Sequence, residues 1–82
     1  MSHLPTQIPW RDFVRVLRHL GYAEQKGKAG SARYYYNPER NPNSVSFREP
    51  HTGDNLNKRT LRIYLLKLQL PEDEFLRLLE NG

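Results

Sequence analysis

The chain contains no cysteine among its 82 residues. Neither disulfides nor cysteine-based zinc sites can therefore stabilise the fold, and the composition fits a reducing compartment. No apolar run approaches the roughly 18 residues that a membrane-spanning helix needs, and the first ten residues lack the basic-then-apolar order of a signal peptide. We expect a soluble cytoplasmic protein that forms a single domain over residues 1–82 with a modest core.

Acidic residues are scarce in most of the chain. Residues 1–70 carry 12 Lys and Arg against five Asp and Glu, a balance of +7, whereas residues 71–82 carry one Arg against four Asp and Glu, a balance of −3. A basic body of this size indicates a polyanionic partner, most often RNA or DNA, with an acidic protein as the second choice.

Three helices are predicted from apolar spacing and capping residues. Apolar residues recur at helical spacing from Trp10 to Leu20, with Pro9 suited to the first helical position and Gly21 to the C-terminal cap. Asn57 is suited to cap a helix that begins at Lys58. Apolar residues on more than one face of this second helix predict that it is the more buried one. Pro71 then begins a short C-terminal helix with an acidic first turn.

Between the first two helices, alternating patterns predict three antiparallel strands. Residues 22–28 are a weak polar strand, Ala32–Tyr36 is a better one, and Ser44–Arg48 alternates apolar with polar side chains. Residues 37–43 supply a turn, and residues 49–57 form a polar loop. The predicted order is α-β-β-β-α with a short extra helix, an α+β fold whose helices pack on one face of the sheet. Double-stranded-RNA-binding domains share this order.

The strand Ala32–Tyr36 is the candidate RNA contact. Alternation places Ala32, Tyr34 and Tyr36 on one face and Arg33 and Tyr35 on the other. Tyrosine rings can stack on unpaired bases, although at least one of the three tyrosines must face the core. The predicted RNA contacts are basic residues near this strand and at the start of a helix, together with a serine and a tyrosine in or just before the strand. They are Lys26, Lys28, Ser31, Arg33, Tyr35, Arg48, Lys58 and Arg59.

An ordered series of short motifs runs along the chain. The leading helix closes on Leu20-Gly21-Tyr22, and Gly30-Ser31 leads into the aromatic strand. Pro50-His51-x-Gly53-x-x-Leu56 follows the next strand, Thr60-Leu61-Arg62 begins a helix, and an acidic stretch ends at Phe75. In this order and spacing, which cover nearly the whole chain, the sequence resembles the HicA toxins of bacterial HicA–HicB toxin–antitoxin pairs.

The resemblance implies a metal-independent, cofactor-free mRNA endoribonuclease (mRNA interferase) of double-stranded-RNA-binding-domain-like fold, neutralised by a HicB-type antitoxin in the bacterial cytoplasm. In these toxins a histidine that follows Gly-Ser on the second strand cleaves RNA. Imidazole suits this task because its pKa lies near neutrality. This chain has Ala32 at that position, and alanine can neither accept nor donate a proton.

Three interpretations of Ala32 remain open. The histidine was replaced by design to permit production of a toxic protein, the natural protein is a non-cleaving relative, or another residue such as His51 performs the chemistry. His51 lies in a loop after a strand, where a histidine bonded to the backbone is the competing interpretation. The three histidines share no metal-ligand spacing, so we expect no metal site.

Three functional hypotheses follow. The first is an RNA endonuclease toxin whose catalytic position is empty in this chain. The second is a non-catalytic RNA-binding module of the same fold, and the third is a small interaction domain whose basic surface serves only a protein partner.

Overall fold

A computed structural model describes residues 4–25, 32–50 and 55–81. Within these ranges the chain is an α+β arrangement of three helices, a three-stranded antiparallel sheet and a separate two-stranded sheet. The elements in chain order are β1 (Gln7–Pro9), α1 (Trp10–His19), β2 (Ala23–Gln25), β3 (Ala32–Tyr36), β4 (Ser44–Arg48), β5 (Asn55–Asn57), α2 (Lys58–Leu68) and α3 (Glu72–Asn81). No helix in these ranges is long and apolar enough to cross a bilayer.

The larger sheet is the predicted meander, with strand order β2-β3-β4. Its register pairs Tyr35 with Val45 and Tyr34 with Ser46 on β4, and Tyr34 with Gln25 on β2. Because directly opposed residues of antiparallel strands point to the same face, this register decides which side chains meet the helices. Both well-patterned strands, β3 and β4, have the predicted bounds.

The hydrophobic core lies between one face of this sheet and the helices. Phe47 of β4 meets Phe13 of α1 edge to face, with ring centroids 5.1 Å apart, and Tyr64 of α2 at 4.7 Å. Phe75 of α3 reaches the same cluster through Phe13, at 6.5 Å. Aromatic pairs at these separations add to the free energy gained from burying their area. The helices therefore cover one face and leave the other without a helix.

The small sheet was not predicted. β1 and β5 pair antiparallel, with Ile8 opposite Leu56, and both of these side chains are buried. The prediction of a polar loop over residues 49–57 is therefore wrong for Asn55–Asn57. Strands of three residues are too short to show alternation, so their pairing depends on tertiary contacts. Pro9 ends β1 in an extended conformation (φ −63°, ψ 145°) and precedes the helix instead of starting it.

Helix α1 ends on the glycine that the sequence suggested. Gly21 has φ +92°, the left-handed region that a side chain disfavours. Its N–H donates to Arg18 O at 2.9 Å, and the N–H of Tyr22 donates to Leu17 O at 3.0 Å. These two bonds form a Schellman motif that satisfies carbonyls of the last turn. A Cβ atom on Gly21 would lie 2.7 Å from Asn37 Nδ2, so a larger residue here would also have to displace the Asn37 side chain.

Two predictions about the later helices are wrong. Helix α2 buries only a stripe of Leu61, Leu65 and Leu68, whereas Ile63 and Leu66 are 50% and 74% exposed. A single packed stripe suffices because α2 meets the domain on one side. Helix α3 is not short, since it matches α1 at ten residues and buries Phe75 completely.

Candidate nucleic-acid interface

The face of the sheet without helices presents aromatic, small and basic side chains. We call it the open face and define it by one side of each strand of the larger sheet. Tyr34 and Tyr36 are 41% and 43% exposed, and Arg48 is exposed at the end of β4. The members are Ala23, Gln25, Ala32, Tyr34, Tyr36, Ser44, Ser46 and Arg48. The open face thus combines rings that can stack on bases with a cation that can meet phosphate.

Ala32 lies at the beginning of β3 on the open face, directly opposite Arg48. It is half-buried, and Tyr34 follows two residues later on the same side. Opposed residues of antiparallel strands have Cβ atoms about 4.5–5.5 Å apart, so a longer side chain at position 32 would lie beside the Arg48 side chain. The residue that the resemblance singles out is therefore on the same surface as the aromatic and basic groups.

Tyr35 points the other way, which corrects the prediction that it contacts RNA. Its side chain is 2% exposed and packs with Val45 and Phe47 in the core. Burial, together with the charges of Glu24 and Glu49, raises the pKa of Tyr35 from 10.0 to about 12. A ring enclosed on both sides cannot stack on a base without opening the core.

Arg33 shares the inner side of β3 with Tyr35. Its Nε lies 3.0 Å from Glu49 Oε1, and its Nη1 donates to the Ala32 carbonyl at 3.0 Å. The Arg33 side chain therefore lies on the opposite side of the sheet from the side chains of Ala32 and Arg48, although all three were predicted to belong to one site. Arg33 lies instead in a groove between the sheet and α1.

The first turn of α2 carries two basic side chains, but two of its backbone N–H groups already donate hydrogen bonds within the protein. Lys58 and Arg59 are exposed in a first turn that has no acidic residue. The backbone N–H of Lys58 donates to Thr6 O at 2.9 Å, and that of Thr60 donates to Asn57 Oδ1 at 2.8 Å. An anion here would therefore meet the two side chains more readily than a set of free amides.

Tyr34 and Tyr36 are missing from the predicted set of RNA contacts, because the sequence left open which of the three tyrosines faces the core. A signal for them existed in β4, whose apolar residues Val45 and Phe47 must face the core. In the observed register the tyrosine opposite Val45 is the buried one. Its two neighbours on β3 are consequently exposed.

Four predicted site residues lie outside the described ranges: Lys26, Lys28, Ser31 and His51. Within those ranges no three His, Cys, Asp or Glu residues are grouped in a way that would hold a metal ion. Comparison of the chain with protein-family models, curated proteins and solved structures gave no match.

Proposed function

We propose that the chain is an RNA-binding domain of the HicA type, the toxin component of a bacterial type II toxin–antitoxin system whose members cleave mRNA. The fold we propose is the double-stranded-RNA-binding-domain-like one, to which β1 and β5 add a small second sheet. The observation that carries the proposal is the position of Ala32, on the open face opposite Arg48 and beside Tyr34. A HicB-type antitoxin is the proposed neutralising partner.

The chemistry of RNA cleavage explains what this arrangement lacks. A metal-independent ribonuclease needs a base to take the ribose 2′-OH proton and an acid to protonate the leaving 5′-oxygen. A histidine at position 32 would supply proton transfer, and Arg48 opposite it would stabilise the charge that builds on phosphorus. With Ala32 the charge-stabilising Arg48 is present without a proton-transfer group beside it, so we expect this chain to bind RNA without cleaving it.

The test restores the missing group. We expect Ala32→His, expressed from a tightly controlled promoter, to arrest growth and deplete bulk mRNA, whereas the original chain does neither. Ala32→Gln is the matched control, because glutamine has similar reach and hydrogen-bonding capacity but does not titrate. Cleavage by the glutamine variant would contradict a proton-transfer role for position 32.

The alternative function is a non-catalytic RNA-binding module of the same fold. Ala32 itself favours it, because a chain selected only for binding needs no titratable group there. This alternative is supported if the histidine variant binds RNA with a steep salt dependence but leaves mRNA intact. If neither form binds RNA at low salt, both proposals are wrong and a purely protein-binding role remains.

A further inference from the structure

The open face repeats one arrangement of side chains twice along its length. Tyr34 lies directly opposite Ser46 on β4, and Tyr36 lies directly opposite Ser44. Because the Cβ atoms of directly opposed residues are about 4.5–5.5 Å apart, each ring has a small hydroxyl side chain next to it. The two rings are almost equally exposed. Each Tyr–Ser pair therefore offers a planar surface for stacking and a hydroxyl that can donate to or accept from the stacked group.

The spacing of the two rings selects unpaired RNA. Tyr34 and Tyr36 are two residues apart on an extended strand, so their Cα atoms are about 7 Å apart. Each strand of a duplex advances only about 3.4 Å per nucleotide. Consecutive bases that occupy both rings must therefore be drawn apart to about twice their stacked separation, which base-paired RNA does not allow. An unpaired strand can be extended in this way, and its bases are free to stack on aromatic side chains.

The strands that carry these pairs are held in place before any ligand binds. Tyr35, between the two exposed tyrosines, is buried in the core opposite Val45. On the neighbouring strand, Lys67 Nζ of α2 donates to the backbone carbonyl of Ser46 at 2.9 Å. A tyrosine side chain has only two torsion angles to fix on binding. A surface prepared in this way loses little conformational freedom when bases stack on it.

A cation lies at the next step along the open face. The pair of Ala32 and Arg48 follows the pair of Tyr34 and Ser46 at the same two-residue spacing. Arg48 is exposed and forms no ion pair with any residue that the structure describes. The Tyr64 hydroxyl bonds both backbone groups of Arg48, so the strand is fixed where the guanidinium leaves it. This guanidinium suits a phosphate that adjoins the base on Tyr34.

We propose that the open face binds two consecutive unpaired nucleotides of single-stranded RNA, with one base on Tyr34, the next on Tyr36 and the adjoining phosphate on Arg48. The RNA then runs along β3, and its phosphate lies beside position 32. This inference rests on the proposed function, because it takes RNA as the ligand of the open face. It goes further by giving the number of bases, their positions and the single-stranded state of the ligand.

The experiment counts bases at constant charge. Its ligands are labelled RNA octanucleotides whose sugar–phosphate backbone is complete and whose bases are restored one at a time to a fully abasic strand. Because the phosphates do not change, the electrostatic part of the affinity is the same for all of them. In fluorescence anisotropy we expect the affinity of the intact chain to rise at least about fivefold with the first base and again with an adjacent second base. A third base is expected to change it less than about twofold.

Variants assign each gain to a side chain. Tyr34→Ala and Tyr36→Ala are each expected to lose the gain from the second base and to keep the gain from the first, whereas Tyr34→Phe and Tyr36→Phe keep both. Arg48→Gln is expected to weaken every octanucleotide by the same factor, including the fully abasic one, and to reduce the salt slope by about one. An RNA duplex of roughly 16 base pairs is expected to bind at least about tenfold more weakly than either of its strands. Circular dichroism checks that every variant is folded.

Each other result overturns a defined part of the proposal. A gain that stops at one base would mean that both rings enclose a single base, and a gain from a third base would mean a longer binding surface. Equal affinity for adjacent and separated bases would show that the two nucleotides need not be consecutive. Binding of the duplex as tightly as of its strands, or binding that ignores the bases, would refute the inference and leave the proposed function standing. If no RNA binds at low salt, the proposed function fails together with the inference.

Discussion

Along β3, the phenol of Tyr35 is enclosed between the sheet and the helices, near two carboxylates and two guanidinium groups. Burial and the charges of Glu24 and Glu49 favour the neutral phenol, and Arg33 and Arg18 oppose them only in part. The folded protein therefore holds this proton more tightly than the unfolded chain does. A group of this kind links stability to pH through the difference between its two pKa values.

The sign of that linkage gives a prediction. The pKa of Tyr35 is 10.0 in the unfolded reference and about 12 in the folded protein. The stabilisation that Tyr35 adds to the free energy of unfolding is fully present below pH 10 and is lost as the pH rises towards 12. About 1 kcal/mol of it is lost by pH 11. Urea unfolding at pH 9 and pH 11 is expected to show this loss in the original chain and a smaller one in Tyr35→Phe. Equal pH dependence in the two proteins would contradict the assignment to Tyr35.

Among the elements, α2 does more than pack its apolar stripe on the core. Tyr64 accepts from Arg48 N–H at 3.2 Å and donates to Arg48 O at 3.1 Å, and Lys67 Nζ donates to Ser46 O at 2.9 Å. Two side chains of this helix thus occupy backbone groups of β4, which is an edge strand of the sheet. An edge occupied in this way is a poor template for pairing with another chain.

A second prediction concerns Asn57, the residue that caps α2. Asn57→Ala removes the side-chain oxygen that accepts from Thr60 N–H at 2.8 Å. We expect a loss of about 1 kcal/mol in the free energy of unfolding, measured by urea titration. Asn57→Ser, which keeps a capping oxygen, is the matched control and is expected to retain most of that stability. A serine variant as unstable as the alanine variant would indicate that Asn57 acts through β5 and not through the cap.

The elements that the sequence predicts well are those whose signals are local. Gly21 ends α1 and Asn57 begins α2 because cap geometry depends on one residue and its neighbours. β1 and β5 are invisible in the sequence, since Ile8 and Leu56 become a pair only when distant segments meet. The candidate site is also predictable only where its signals are local. Alternation puts Ala32 with Tyr34, but only the register with Val45 decides which face of β3 is open.

At the scale of the whole molecule, the sheet separates two kinds of surface. The open face offers aromatic rings and Arg48 without a carboxylate among its described members, whereas the groove between α1 and the other side of the sheet is lined by four arginines, three carboxylates and the apolar side chains of Trp10 and Val14.

The open face gives the prediction at this scale. We expect Tyr34→Ala and Tyr36→Ala each to weaken single-stranded RNA binding by about 1–3 kcal/mol, because each removes a stacking ring. Phosphate contacts stay in place, so the slope of log affinity against log salt is expected to be unchanged. Fluorescence anisotropy with a labelled RNA measures both quantities. Tyr34→Phe keeps the ring and is the control, and a flatter salt slope in the alanine variants would contradict a stacking role.

The packing of α1 against α3 has a consequence for the order of events during synthesis. Phe13 contacts Phe75, and Arg15 donates to the carbonyl of Leu79, so α1 completes its packing only with α3. Phe13 precedes Phe75 by 62 residues, and a ribosome adding about 5–20 residues per second needs roughly 3–12 s to make that stretch. During that interval the side of α1 that packs on α3 is uncovered on the nascent chain. The core is therefore complete only after translation of α3, and a ribosome stalled upstream of α3 would leave α1 without part of its packing.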